Sequence, residues 1–101
     1  MATHRAASTH LHDRSDQYGS LAAAVQVRRA RLGLRQEELA DLAGCSARFV
    51  HAVETGKPTV QLDKLLALLS TLGLHLELVD GAGASITLAA TLRGDLETDR
   101  S

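Results

Sequence analysis

LGLRQEELADLAGCSARFVHAVETGKPT, residues 32–59, carries two short helical patterns on either side of Gly44. From Gln36 to Ala43, the residues Leu39, Leu42 and Ala43 recur at the spacing of one helix face and are expected inward. Glu37 and Glu38 stand at the start of that pattern, where the positive end of a helix dipole favours acids. Ser46 is a good N-cap for the next helix, read over residues 46–54, because its hydroxyl can accept from an early helical amide. Val50 and Val53 give that helix its inward face. Ala40 is small enough for two helices to cross closely, and Gly44 can take the left-handed conformation that a turn of about three residues requires.

Outward from this stretch, Gly33, Gly56 and Gly73 also fall just after helical patterns, as residues that end helices do. A first helix is therefore expected over residues 21–32, with Leu21, Val25 and Leu32 on one face. A fourth is expected over residues 62–72, whose stripe of Leu62, Leu65, Leu66, Leu69 and Leu72 is expected to be buried. Past Gly73 the period changes. Leu74, Leu76 and Leu78 alternate with His75 and Glu77, the two-residue repeat of a half-buried strand. A single strand needs a ladder partner for its backbone groups. A second copy of the same strand is the favoured partner, with a hairpin to residues 85–88 as the alternative.

Composition agrees with a helical reading and narrows the function classes. A chain of 101 residues has room for one domain with one core. It holds 18 Leu and 16 Ala against 2% aromatic residues and one Pro, a bias toward helices packed through aliphatic side chains. Eleven Lys and Arg balance 12 Asp and Glu, which excludes a polycation or a polyacidic tail but leaves local patches open. Cys45 is the single cysteine, so no intramolecular disulfide forms, and packing in the core suits it better than catalysis. The longest apolar runs, residues 21–25 and 65–69, fall far short of the ~20 residues of a membrane span. The first 20 residues lack the apolar core of a secretory signal. The expectation is a cytoplasmic, nucleoid-associated protein with no membrane contact. His4, His10 and His12 lack a fourth partner for a metal, and there is no phosphate-cradling glycine loop or interpretable carboxylate pair. Neither a metal, a cofactor nor enzymatic activity is expected.

Ala40, Gly44 and Val50 supply the small residue, the left-handed turn residue and the buried aliphatic of a helix-turn-helix. Residues 32–59 resemble the Cro/C1-type (Xre) helix-turn-helix family. That resemblance implies a mainly α, lambda-repressor-like bundle of four short helices, with residues 46–54 lying in the DNA major groove. Ser46, Ala47, Arg48 and His51 match the positions that reach base edges. Arg48 is the leading reader, since a guanidinium can bond bidentately to guanine, whereas Ala47 could touch only a thymine methyl. Arg35 and Gln36 at a helix start, and Lys57 in the following loop, match phosphate contacts. Arg29 and Glu54 match an internal ion pair of the family, and Phe49 is assigned to a neighbouring helix in preference to DNA. Charge alone carries little of this, with six basic residues against four acids between Arg28 and Lys57.

TVQLDKLLALLSTLGLHLELVD, residues 59–80, adds a narrower resemblance, to the HipB-type antitoxins. It implies four helices followed by one C-terminal strand, carrying Leu74, Leu76 and Leu78, that pairs across a homodimer. It further implies repression from a palindromic double-stranded DNA operator and a HipA-type serine/threonine kinase toxin as partner. A stand-alone or phage-type repressor without such a toxin is the alternative. The corresponding organisation is a flexible polar arm at 1–20, a DNA-binding and dimerisation domain at 21–79, and a flexible tail at 80–101.

Overall fold

The computed structural model describes residues 19–81, 83 and 86–94. Four helices follow one another: α1 (Gly19–Arg31), α2 (Gln36–Ala43), α3 (Ala47–Glu54) and α4 (Leu62–Thr71). Residues 90–94 form a further helical turn. The histidines at 4, 10 and 12 and most of the N-terminal arm lie outside the described residues, as do Ser85 and positions 95–101.

All four helices stop in the same way, and the stops are local. Gly33, Gly44, Gly56 and Gly73 have φ between 71° and 78°. After each one the next amide reaches back to a carbonyl in the last helical turn. These bonds are Leu34 N–H to Arg29 O at 3.1 Å, Cys45 to Ala40 at 3.0 Å, Lys57 to Ala52 at 3.0 Å and Leu74 to Leu69 at 2.8 Å. This is the six-to-one bond of the Schellman motif, which satisfies a carbonyl that the helix would leave orphaned. The starts are equally local. Ser46 Oγ accepts from Phe49 N at 3.1 Å, and Arg35 N donates to Glu38 Oε1 at 2.8 Å. Arginine has no side-chain acceptor, so only the carboxylate half of a capping box operates at α2.

The core is aliphatic: Leu21 and Val25 from α1, Leu39 and Ala40 from α2, Val50 and Val53 from α3, and Leu65, Leu68, Leu69 and Leu72 from α4 and its cap. Burying each Val or Leu stabilises the fold by ~1.5–3 kcal/mol. α2 packs on both α3 and α4, and α1 packs on α3. Four leucines expected in this core are outside it: Leu32, Leu42 (65% exposed), Leu62 (61% exposed) and Leu66. At ~100° per residue, Leu65, Leu68, Leu69 and Leu72 already fill the inward sector of α4, and Leu66 falls to its side. Leu42 likewise falls to the side of Leu39 and Ala40 on α2.

The expected strand does not form. Leu74, Leu76 and Leu78 lie in irregular chain, and the described residues contain helices and no strand, so the pairing of a C-terminal strand across a dimer is not supported. The physical reason is the missing ladder. Leu74 N–H is used to close α4, and among the described residues no backbone hydrogen bond outside the helices involves residues 75–81. Alternation alone cannot make a strand without a partner for those groups. Leu74 instead leans on the helical core, as does Ile86 from the chain beyond, while Leu78 and Val79 are fully or largely exposed. Among the described residues, no helix is long and apolar enough to cross a membrane, and no group of His, Cys, Asp or Glu could hold a metal ion.

Candidate nucleic-acid interface

α3 is amphipathic in the simplest sense: Val50 and Val53 are buried on one side, and Arg48 and His51 are exposed on the other. Ser46 is exposed at its leading end. Thr55, seven residues after Arg48 and also exposed, continues the outward stripe; its position in that count is the signal that would have found it. Thr55 Oγ1 donates to His51 O at 3.0 Å and Ala52 O at 3.1 Å, so its oxygen faces outward only as an acceptor. Ala47 and Phe49 are set apart from this stripe. Both are half-buried and pack against the core.

The basic side chains at the margins are solvent-facing. Arg35 is exposed, with Nε 3.4 Å from Glu38 Oε1 and Nη1 3.9 Å from Glu37 Oε1. Exposed pairs of this kind contribute ~0–1 kcal/mol, so the guanidinium is readily surrendered to a stronger anion. The Glu38 carboxyl is held below its ordinary value, first by the Arg35 backbone N–H and then by the guanidinium charge. Lys57 is exposed in the loop just past α3.

Behind the exposed stripe, the last residue of α3 is tied down by polar groups. The Glu54 side chain is only 4% exposed. Its Oε2 accepts from Arg29 Nε at 2.6 Å, and its Oε1 accepts from Arg29 Nη2 at 2.9 Å and from Gln36 Nε2 at 2.9 Å. Arg29 Nη1 also donates to Leu34 O at 2.9 Å, and Gln26 Nε2 donates to the Glu54 carbonyl at 2.6 Å. The hydrogen bond that Arg29 donates to Glu54 raises the Arg29 pKa further, so the guanidinium stays charged. The end of α3 is thereby fixed to α1, to the α1–α2 loop and to the first residue of α2. Arg29 and Glu54 are brought together; Gln36 is drawn to the same carboxylate and is half-buried, unlike Arg35 beside it. Gln26 and the inward bond of Gln36 have no local sequence signature, since their partners lie 28 and 18 residues away. Cys45, in the turn, is half-buried, and burial pushes its thiol pKa up, which suppresses the reactive thiolate.

A helical pair joined by a tight glycine turn, with a capped second helix presenting Arg and His outward, is the geometry of a DNA-reading module. Comparison with known proteins agrees. The family model described as a helix-turn-helix domain matches residues 20–82. An "Uncharacterized HTH-type transcriptional regulator", y4mF, of Sinorhizobium fredii is 42% identical over 59 residues, which cover 58% of this chain and 78% of that relative. With its fold, turn and matched span in agreement, the chain belongs to the helix-turn-helix domain family.

Proposed function

We propose that the protein is a sequence-specific DNA-binding repressor of transcription, acting in the cytoplasm at the nucleoid. The observation that carries this reading is the outward stripe of α3, where Arg48 and His51 stand opposite the buried Val50 and Val53, with Ser46 exposed at the leading end of the helix. In the major groove, Arg48 donates to a guanine, His51 and Ser46 contact neighbouring base edges, and the outer side of Ala47 meets a thymine methyl. Arg35, Gln36 and Lys57 hold the phosphates that flank the groove and set the register. One copy offers few base-reading side chains, so two copies on a palindromic operator supply the selectivity a regulator needs.

Selection of duplexes from a random pool tests this directly. Enrichment of an inverted repeat with a guanine in each half supports the reading, and no enrichment at low salt refutes it. The finer reading, an antitoxin that partners a HipA-type serine/threonine kinase, is supported by the resemblance of residues 59–80 to HipB-type antitoxins. Co-expression with a HipA-type kinase distinguishes it. Co-purification supports the antitoxin, and its failure leaves a stand-alone or phage-type repressor.

A further inference from the structure

We infer that Gln36 is a positioning residue for α3: through its bond to Glu54 it sets how well the helix discriminates among DNA sequences. This rests on the DNA-reading function proposed above. Glu54 Oε1 has two lone-pair directions, and both are occupied, one by Arg29 Nη2 and one by Gln36 Nε2, each at 2.9 Å. Arg29 pulls from α1 and Gln36 from α2, so the carboxylate is held from two sides and the end of α3 cannot swing. Without Gln36, the polar ties to the end of α3 come from α1 alone, and α2 holds it through core packing only.

Gln36 is also the first residue of α2, at the helix end where free amides favour an anion. Its amide nitrogen carries two hydrogens. One goes to Glu54, and the second is available to a phosphate oxygen, so a single side chain can join the DNA backbone to the helix that reads the bases. Base-edge bonds tolerate little displacement, because they weaken steeply away from linear geometry. Arg35 and Lys57, exposed and long, keep their phosphate contacts through small shifts. Loosening α3 therefore reduces selective binding and leaves general binding largely intact.

Gln36→Met keeps the side-chain length and removes both hydrogens. The quantity to measure is the ratio of affinities for a selected duplex and a scrambled one, alongside thermal melting to confirm folding. The expected result is about a tenfold loss in that ratio, as for one hydrogen bond to a charged group, on top of a weakening common to both duplexes from the lost phosphate contact. Gln36→Glu supplies a second readout. Ionised, it sets a carboxylate against Glu54, which Arg29 also faces, with Arg35 at the N-cap and Glu37 and Glu38 in the first turn of its own helix. Protonated, it offers an O–H where glutamine offers an N–H. Its discrimination, normalised to wild type in the same buffers, is expected to be low at neutral pH and to recover on acidification. An unchanged ratio in Gln36→Met overturns the inference, as does an equal loss on both duplexes, which is the mark of a phosphate contact alone. A Gln36→Glu ratio that stays flat with pH overturns it too. If the wild type discriminates among no duplexes, the DNA-reading function falls and takes the inference with it. If the wild type discriminates and Gln36→Met does so equally well, only the inference falls.

Discussion

Arg29→Met tests the polar anchor at the end of α3. The substitution keeps an unbranched apolar stem but removes two charged donors from a carboxylate that is 4% exposed, together with the bond to Leu34 O. Among the described residues, the Glu54 carboxylate is then left with Gln36 as its donor. Breaking a buried pair from one side typically costs ~3–5 kcal/mol, because the remaining charge is uncompensated. Arg29 is 21% exposed, so water can replace part of what it supplied, and the lower end, about 3 kcal/mol, is the expected cost. Domains of this size are stable by ~5–15 kcal/mol, so the variant loses a substantial share of its folding free energy. At ~4–8 °C per kcal/mol, its melting temperature is expected to fall by roughly 12–24 °C. Thermal and urea unfolding followed by circular dichroism provide the measurement. Arg29→Met combined with Glu54→Met removes the stranded charge, and it is expected to recover at least ~1.5 kcal/mol relative to additive losses. A single variant melting within a few degrees of wild type, or a double variant with strictly additive losses, would refute the reasoning.

Other substitutions probe the outward face proposed to read DNA and the local stops. Arg48→Ala is expected to relax base preference at one half-site position by ~1–3 kcal/mol; identical preferences across a randomised operator would remove Arg48 from base reading. Lys57→Ala is expected to weaken all duplexes alike and to reduce the slope of log affinity against log salt by about one per protomer, since one phosphate contact is lost. An unaltered slope contradicts that role. Gly44→Ala places a Cβ at φ 74° with nothing within 4 Å, so the cost is backbone strain alone, ~1–2 kcal/mol by urea unfolding. A neutral outcome would show that the turn relaxes. Glu38 has a lowered pKa in the fold, so its contribution is complete above the ordinary carboxylate value and disappears as pH falls through the lower folded value. Glu38→Gln should therefore melt lower than wild type at neutral pH, with the gap closing in acid; a constant gap would argue against the capping bond.

What could be read from the chain is what each loop encodes by itself. Gly33, Gly44, Gly56 and Gly73 mark the ends of helices because the left-handed stop requires their backbone, and Ser46 marks the start of α3 because its hydroxyl caps it. Periodicity placed Val50, Val53, Leu39 and Leu69 inward, but it does not state how wide the inward sector is. That width depends on how many neighbours reach a helix, and so Leu42, Leu62 and Leu66 are exposed. The alternation of Leu74, Leu76 and Leu78 describes a surface suited to a sheet without providing the ladder. In the candidate site, the outward stripe follows from counting along α3, including Thr55. The bonds of Gln26 and Gln36 to Glu54 do not, because three helices must first assemble before those atoms meet.

The brevity of α3 has its own consequence. Eight residues at ~1.5 Å each make a rod about 12 Å long, close to the ~12 Å breadth of the groove it would enter. Along duplex rising ~3.4 Å per step, such a rod can inspect only about three or four pairs. A word of four letters recurs by chance roughly once in 256 positions, against the ~10⁶ or more that compete in a genome. No improvement in a single contact can close that gap in information. The address must be lengthened by engaging more words at once, and the number and spacing of chains on one operator become the quantities that evolution can tune.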